Sequence, residues 1–155
     1  MTTLHTLIDC KQLVEVPADA VIVAGRSGAV RFWNPVAERL FGFTEAEALG
    51  NSLDLIVPER FREPHWAGYN RTMATGQSRY AHDVLRVPAV HKDGRPLSIA
   101  FTVWLLYGPQ GNVTGILAVI RDETTRFAEG RNPRKRLAEL EQRERINTTQ
   151  APTRQ

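Results

Sequence analysis

The chain has 155 residues, 42% hydrophobic and 24% charged, with a net charge of +3, which is the composition of one globular domain with tails. It holds no apolar run near the ~20 residues that cross a membrane and no signal-peptide pattern at its start, so we expect a cytoplasmic protein. The only cysteine, Cys10, excludes an internal disulfide, a cysteine-rich zinc site and the covalent attachment of a c-type haem.

The start of the chain has the pattern of an amphipathic helix. Over residues 1–15 the apolar positions that recur at helical spacing are Leu4, Leu7, Ile8 and Leu13. A helix this short needs a partner surface to be stable, and a second copy of the chain is one candidate. Two β-rich runs follow at residues 20–24 and 29–33, around a turn with two glycines, and they predict a β-hairpin.

Three short helical segments come next. Asn34 and Pro35 are typical of a helix start, with the asparagine as N-cap and the proline in the first turn. Thr44 and Glu47 have the spacing of a capping box, and residues 51–57 can form a further helical turn. Helices of this length bury little against one another, so we expect them to cover a sheet.

The longest predicted helix runs from Glu63 to Gly76, with Pro64 in its first turn. Helical spacing puts four residues on one largely apolar face, namely Phe61, His65, Tyr69 and Met73 (or Thr72). A lone histidine on such a face is either a hydrogen-bonded core residue or a metal ligand, and haem iron is the first candidate metal.

Three further β-rich runs predict an antiparallel meander over residues 84–91, 97–107 and 113–121, with Asp93 and Gly94 at the first turn. Both faces of the middle strand are largely apolar. We expect one face to cover the core. The other face, which carries Trp104, needs the N-terminal helix or a second subunit as its cover.

The basic charge lies in the tail. Between residues 131 and 146 six arginines and lysines stand against three glutamates, whereas the chain up to residue 130 is close to neutral. No recognition-helix or RNA-binding pattern accompanies them, so we predict no nucleic-acid function, although a DNA-associated regulator that uses this tail remains an alternative. The apolar positions are too sparse for a coiled coil, and residues 148–155 are predicted to be disordered.

The order of elements resembles a PAS domain over about residues 13–127. The motifs that carry the resemblance are Phe32-Trp33-Asn34-Pro35-x-Ala37-x-x-Leu40-Phe41-Gly42, Lys92-Asp93-Gly94 and Gly115-Ile-Leu-Ala-Val-Ile-Arg121-Asp122-x-Thr124. The resemblance implies an α+β PAS fold, a five-stranded antiparallel sheet flanked by short helices and one longer helix. We therefore predict an N-terminal amphipathic helix at 1–15, a PAS sensor domain at 16–127 and a basic charged tail at 128–155.

Within that family, residues 58–76 are similar to the FixL-type haem-binding members, whose proximal histidine matches His65. The resemblance implies non-covalent haem b on His65 and a sensor of CO, NO or O2. It implies no enzymatic activity of the domain itself. The predicted cofactor-binding residues are His65, Tyr69, Met73, Leu85, Ile99, Phe101 and Trp104.

Two positions depart from the oxygen-sensing members. The arginine that stabilises bound oxygen there is Leu85 here, and Asp83 takes the place of a methionine sixth ligand. A pocket without the charged donor favours CO or NO over stably bound O2. By strand alternation Arg86 should face away, whereas the indole N–H of Trp104 could replace the donor if its side faces the pocket.

The two other histidines near the site, His82 and His91, are expected at the surface of a strand and a turn. The alternative to a haem sensor is a PAS interaction module that forms a homodimer through the N-terminal helix and the outer sheet face. In either case we expect a downstream signalling protein, whose identity the sequence does not indicate.

Overall fold

The computed structural model of the protein describes residues 18–78 and 83–130, with residues 137–138, 140–143 and 145 of the tail. The predicted N-terminal helix, Cys10, His82 and most of the basic tail lie outside the described residues. The chain divides into two compact units, residues 1–122 and 123–155.

The first unit contains a five-stranded antiparallel sheet. Its strands are β1 (Ala20–Gly25), β2 (Val30–Trp33), β3 (Leu85–Val90), β4 (Pro96–Tyr107) and β5 (Val113–Asp122). They lie in the order β2-β1-β5-β4-β3, so β2 and β3 are the two edges. The predicted α+β fold, the first hairpin and the three-strand meander are confirmed.

The helices between β2 and β3 are α1 (Pro35–Phe41), α2 (Glu45–Ala48), a 3₁₀ turn (Leu53–Leu55) and α3 (Glu59–Thr75). The second unit has α4 (Thr124–Gly130), and the described residues between 137 and 145 are helical. The predicted caps of the first two helices are present, because the side chain of Asn34 accepts from the Ala37 amide and that of Thr44 from the Glu47 amide.

Asn34 is also the junction between α1 and the sheet. It is fully buried, and its Oδ1 accepts from the Val21 amide as well as from that of Ala37, both at 2.9 Å. Its Nδ2 donates to the Asp19 carbonyl at 3.1 Å. One side chain therefore satisfies backbone groups at the start of β1 and of α1, which fixes the angle between these elements.

Helix α3 begins four residues before the predicted start. Pro58, extended at φ −56° and ψ 140°, is the N-cap, and Pro64 lies inside the helix. Placing Pro64 in the first turn was therefore wrong. A proline inside a helix removes one i→i−4 hydrogen bond, a cost that the buried side chains after it offset through tertiary packing.

The core lies between the helices and one face of the sheet. Buried side chains from every strand meet Phe41 of α1 and Tyr69 and Met73 of α3 in one apolar cluster. The largest fully buried member is Trp33, whose indole N–H donates to the Phe43 carbonyl at 3.0 Å. None of the helices among the described residues is long and apolar enough to cross a membrane.

Candidate functional site around His65

The inner face of α3 is formed by residues three and four apart. Tyr69 and Met73 are 8% and 5% exposed, and Trp66 packs against the same core. Phe61, predicted on this face, is instead 37% exposed and lies under the Arg60 guanidinium, 4.7 Å from its ring centroid. The prediction for Phe61 was wrong because the buried stripe runs one residue further round the helix.

His65 lies at the border of this stripe and is half-buried. Its Nδ1 is buried and has no hydrogen-bond partner. Burial lowers the pKa of the imidazole because it disfavours the charged form, and the carboxylate of Asp54 opposes that shift. The ring is therefore held as a neutral imidazole with a free nitrogen, which is the form that can ligate a metal.

Two aromatic side chains contact the His65 ring. Trp66 meets it edge-on with ring centroids 4.8 Å apart, and Tyr69 lies at 5.9 Å. Trp66 and Tyr69 also contact each other, with their ring centroids 5.3 Å apart. The imidazole thus belongs to a three-ring cluster on the inner side of α3.

Trp66 is fixed by contacts that the sequence did not reveal. Its Nε1 donates to Oδ1 of Asp54 at 2.8 Å, across 12 residues of chain. Its six-membered ring lies so close to Gly28 in the β1–β2 turn that an added Cβ would come within 2.1 Å of Cη2. A tryptophan four residues after Arg62 and three before Tyr69 could have indicated the inner face, but no pattern marked Asp54 as its partner.

Tyr69 ties α3 to the same turn. Its hydroxyl donates to the carbonyl of Gly25 at 2.5 Å. Burial raises the pKa of Tyr69 to about 12, so the phenol stays protonated and remains a donor at neutral pH.

The sheet supplies an apolar wall on the core side. Ile99 is buried in the same cluster as Tyr69 and Met73, and Phe101 packs against it. Leu85 pairs with Phe101 across β3 and β4, so the two share this face. Leu85, Ile99 and Phe101 are therefore the predicted site residues of the sheet that lie on the side covered by α3.

Trp104 does not. It alternates with Val103 and Leu105, which pack on the core, and is 54% exposed on the other face. Its indole therefore does not face the side where His65 lies, and the suggestion that it replaces the missing donor is corrected. Arg86 pairs with Ala100 on that outer face, as strand alternation predicted.

The turn histidine His91 is less exposed than expected, with only 14% of its side chain accessible. Its ring packs against Gly42 at the end of α1, and its Nδ1 accepts from the Asp93 amide at 3.1 Å. The turn between β3 and β4 therefore docks on the helices. Among the described residues, no cluster of three His, Cys, Asp or Glu side chains forms a metal site.

Comparison with known proteins agrees with this architecture. The model of the PAS-fold family matches residues 9–122. The chain is 26% identical over 108 residues to the oxygen sensor protein DosP of Escherichia coli (strain K12), which covers 70% of this chain and 13% of that protein. It is 32% identical over 65 residues to the sensor protein FixL of Bradyrhizobium diazoefficiens, which covers 42% of this chain and 13% of that protein.

A solved structure has the same fold. The PAS domain of a protein from Colwellia psychrerythraea superposes with a TM-score of 0.65 at 21% identity, and the match covers 74% of this chain and 94% of that domain.

A five-stranded sheet with short helices and one longer helix on a single face defines a small sensory domain. The chain belongs to the PAS family. Domains of this family are in general sensory modules rather than enzymes. The chain spans 13% of the length of the two curated relatives described above, so it corresponds to one part of such proteins.

Proposed function

We propose that this PAS domain binds haem b through His65 and senses a diatomic gas. The observation that carries the proposal is the buried Nδ1 of His65, which has no hydrogen-bond partner on the inner side of α3. Burial keeps this imidazole neutral, and a neutral imidazole is the common protein ligand of haem iron.

The core side of the sheet offers apolar surface of the kind that suits a porphyrin. Met73 and Ile99 belong to the core cluster and Phe101 packs against it, and a haem needs only one protein ligand to be held. When bound, the haem supplies an iron that takes a diatomic gas. The resemblance of residues 58–76 to FixL-type domains, and the relation to a protein described as an oxygen sensor, support the same function.

The wall also favours particular gases. Leu85 stands where the oxygen-sensing members have an arginine, and Arg86 lies on the outer face of the sheet. Without a charged donor next to the bound gas, stable O2 binding is disfavoured relative to CO or NO, which need less stabilisation by hydrogen bonds.

A haem titration tests the proposal. The purified chain with added haem should give a Soret band that H65G lacks and that added imidazole restores in H65G, because free imidazole can take the place of the missing ring. H91A is the matched control, since His91 lies in a turn and is hydrogen-bonded there. A wild-type chain without a Soret band, or an H65G spectrum equal to wild type, overturns the proposal.

A second candidate function is association. Trp104 is 54% exposed on the outer face of β4 and pairs with Leu117 of β5, so this face presents an apolar surface. We propose a homodimer through this face and the N-terminal helix. W104T should lower the sedimentation coefficient to that of a monomer, whereas L49S, which removes an exposed leucine on the helical side, should not.

A downstream signalling partner and a cytoplasmic location remain predictions.

A dimer of W104T as stable as that of wild type would count against the association proposal.

A further inference from the structure

The imidazole of His65 has no hydrogen bond to hold its Nδ1. Histidines that ligate metals are usually oriented by a hydrogen bond from the ring nitrogen that does not bind the metal. Nδ1 offers no such bond, because it is the nitrogen left free for the iron, so the packing around the ring has to contribute to its orientation.

Trp66 provides such a contact. Its ring meets the imidazole edge-on at 4.8 Å and meets Tyr69 at 5.3 Å. On its far side it presses on Gly28, where not even a Cβ would fit. The contacts with His65, Tyr69 and Gly28 restrict rotation of the partly buried indole, which forms a wall beside His65.

Asp54 holds the indole at its polar end. Its Oδ1 accepts from Trp66 Nε1 at 2.8 Å. Arg62 steadies Asp54 in turn, because its Nη2 donates to the Asp54 carbonyl at 3.3 Å and its Nε lies 3.8 Å from the carboxylate. The acceptor of the indole N–H therefore has a fixed place in the 3₁₀ turn.

We infer that Trp66 is a positioning residue for His65 and that Asp54 fixes Trp66 through its hydrogen bond. The inference rests on the proposed role of His65 as an axial ligand.

The test uses the haem-free chain of 155 residues, with histidine labelled for ring ¹³C–¹H NMR and the His65 signal assigned from H65Q. W66F removes the indole N–H that donates to Asp54, and D54A removes the carboxylate that accepts from it. Both should broaden the His65 signal and shift it toward that of an exposed histidine. D54N keeps an acceptor oxygen and should retain the wild-type signal at about pH 8, where the imidazole is neutral in every variant.

F61L is the matched control, because Phe61 is an exposed aromatic residue on the same helix. A W66F signal equal to wild type overturns the positioning role. A D54N signal equal to that of D54A overturns the role of the hydrogen bond.

The positioning role and the proposed function can fail separately. If wild type binds no haem, the proposed function fails, whereas the NMR signal of the haem-free chain still decides whether Trp66 positions His65.

Discussion

The hydroxyl of Tyr69 donates to the carbonyl of Gly25, at the end of β1 and 44 residues earlier in the chain. Gly25 pairs with Gly115 of β5, and its carbonyl also accepts from the Gly28 amide at 2.9 Å. Helix α3 is thus hydrogen-bonded directly to the end of β1, at the turn that Trp66 contacts.

Y69F should lower the free energy of unfolding by only about 1 kcal/mol, the typical net value of one hydrogen bond. The loss is small because the Gly25 carbonyl keeps the Gly28 amide as a donor. Urea unfolding followed by fluorescence measures it. Y107F is the control, since Tyr107 is exposed and its change should have no measurable effect. A loss above about 3 kcal/mol would contradict this account.

G28A tests the contact between Trp66 and the β1–β2 turn. Gly28 has φ +82° and would place a Cβ on the indole, whereas Gly111 has φ +79° and open space. Both alanine variants should lose ~1–2 kcal/mol to backbone strain. G28A should lose a further ~1–3 kcal/mol because Trp66 has to move. Equal losses in urea unfolding would show that the indole yields freely.

N34A should be among the most damaging single changes. It removes the acceptor of two backbone amides, at Val21 and Ala37, in a fully buried place. The lost cap and the unsatisfied amides together should cost about 2–4 kcal/mol. N51A is the control, since the exposed side chain of Asn51 donates to the Glu47 carbonyl and accepts from no buried amide among the described residues, and it should cost below ~1 kcal/mol. Thermal unfolding of the two variants decides between these values.

The stability of the haem-free chain should depend on pH through His65. Because burial lowers its pKa below the ordinary 6.5, the unfolded chain takes up this proton first as pH falls. The neutral His65 ring therefore contributes its full share of the free energy of unfolding above about pH 6.5. That share is lost as the pH falls from 6.5 toward the lower pKa that His65 has in the folded chain.

H65Q should therefore have a melting temperature that falls less between about pH 8 and pH 5 than that of wild type. Other histidines and the carboxylates titrate in both chains, so the difference between the two pH profiles is the quantity to compare. Parallel profiles would mean that the imidazole is as well solvated in the folded chain as in the unfolded one.

Local signals predicted most of the fold. The Asn34-Pro35 start, the capping box at Thr44 and the Asp93-Gly94 turn each specify a structure within a few residues, and each is present. The start of α3 was misplaced because both Pro58 and Pro64 are compatible with a first turn. Only the packing of the rest of the helix decides between them.

The site was predicted less completely. Helical spacing brought His65, Tyr69 and Met73 to one side, and strand alternation put Leu85 and Phe101 on the same wall. The hydrogen bond from Trp66 to Asp54 and the close approach of Gly28 join segments that are distant in sequence, and no periodic pattern encodes such contacts.

Pro88 lies in the middle of β3, at an edge of the sheet, and is paired with Ser98. It has no amide hydrogen, so a foreign strand aligned along this border would find a gap in its row of donors. Pro88 therefore disfavours the pairing of a further strand along β3, the strand beside β4, whose outer surface is apolar.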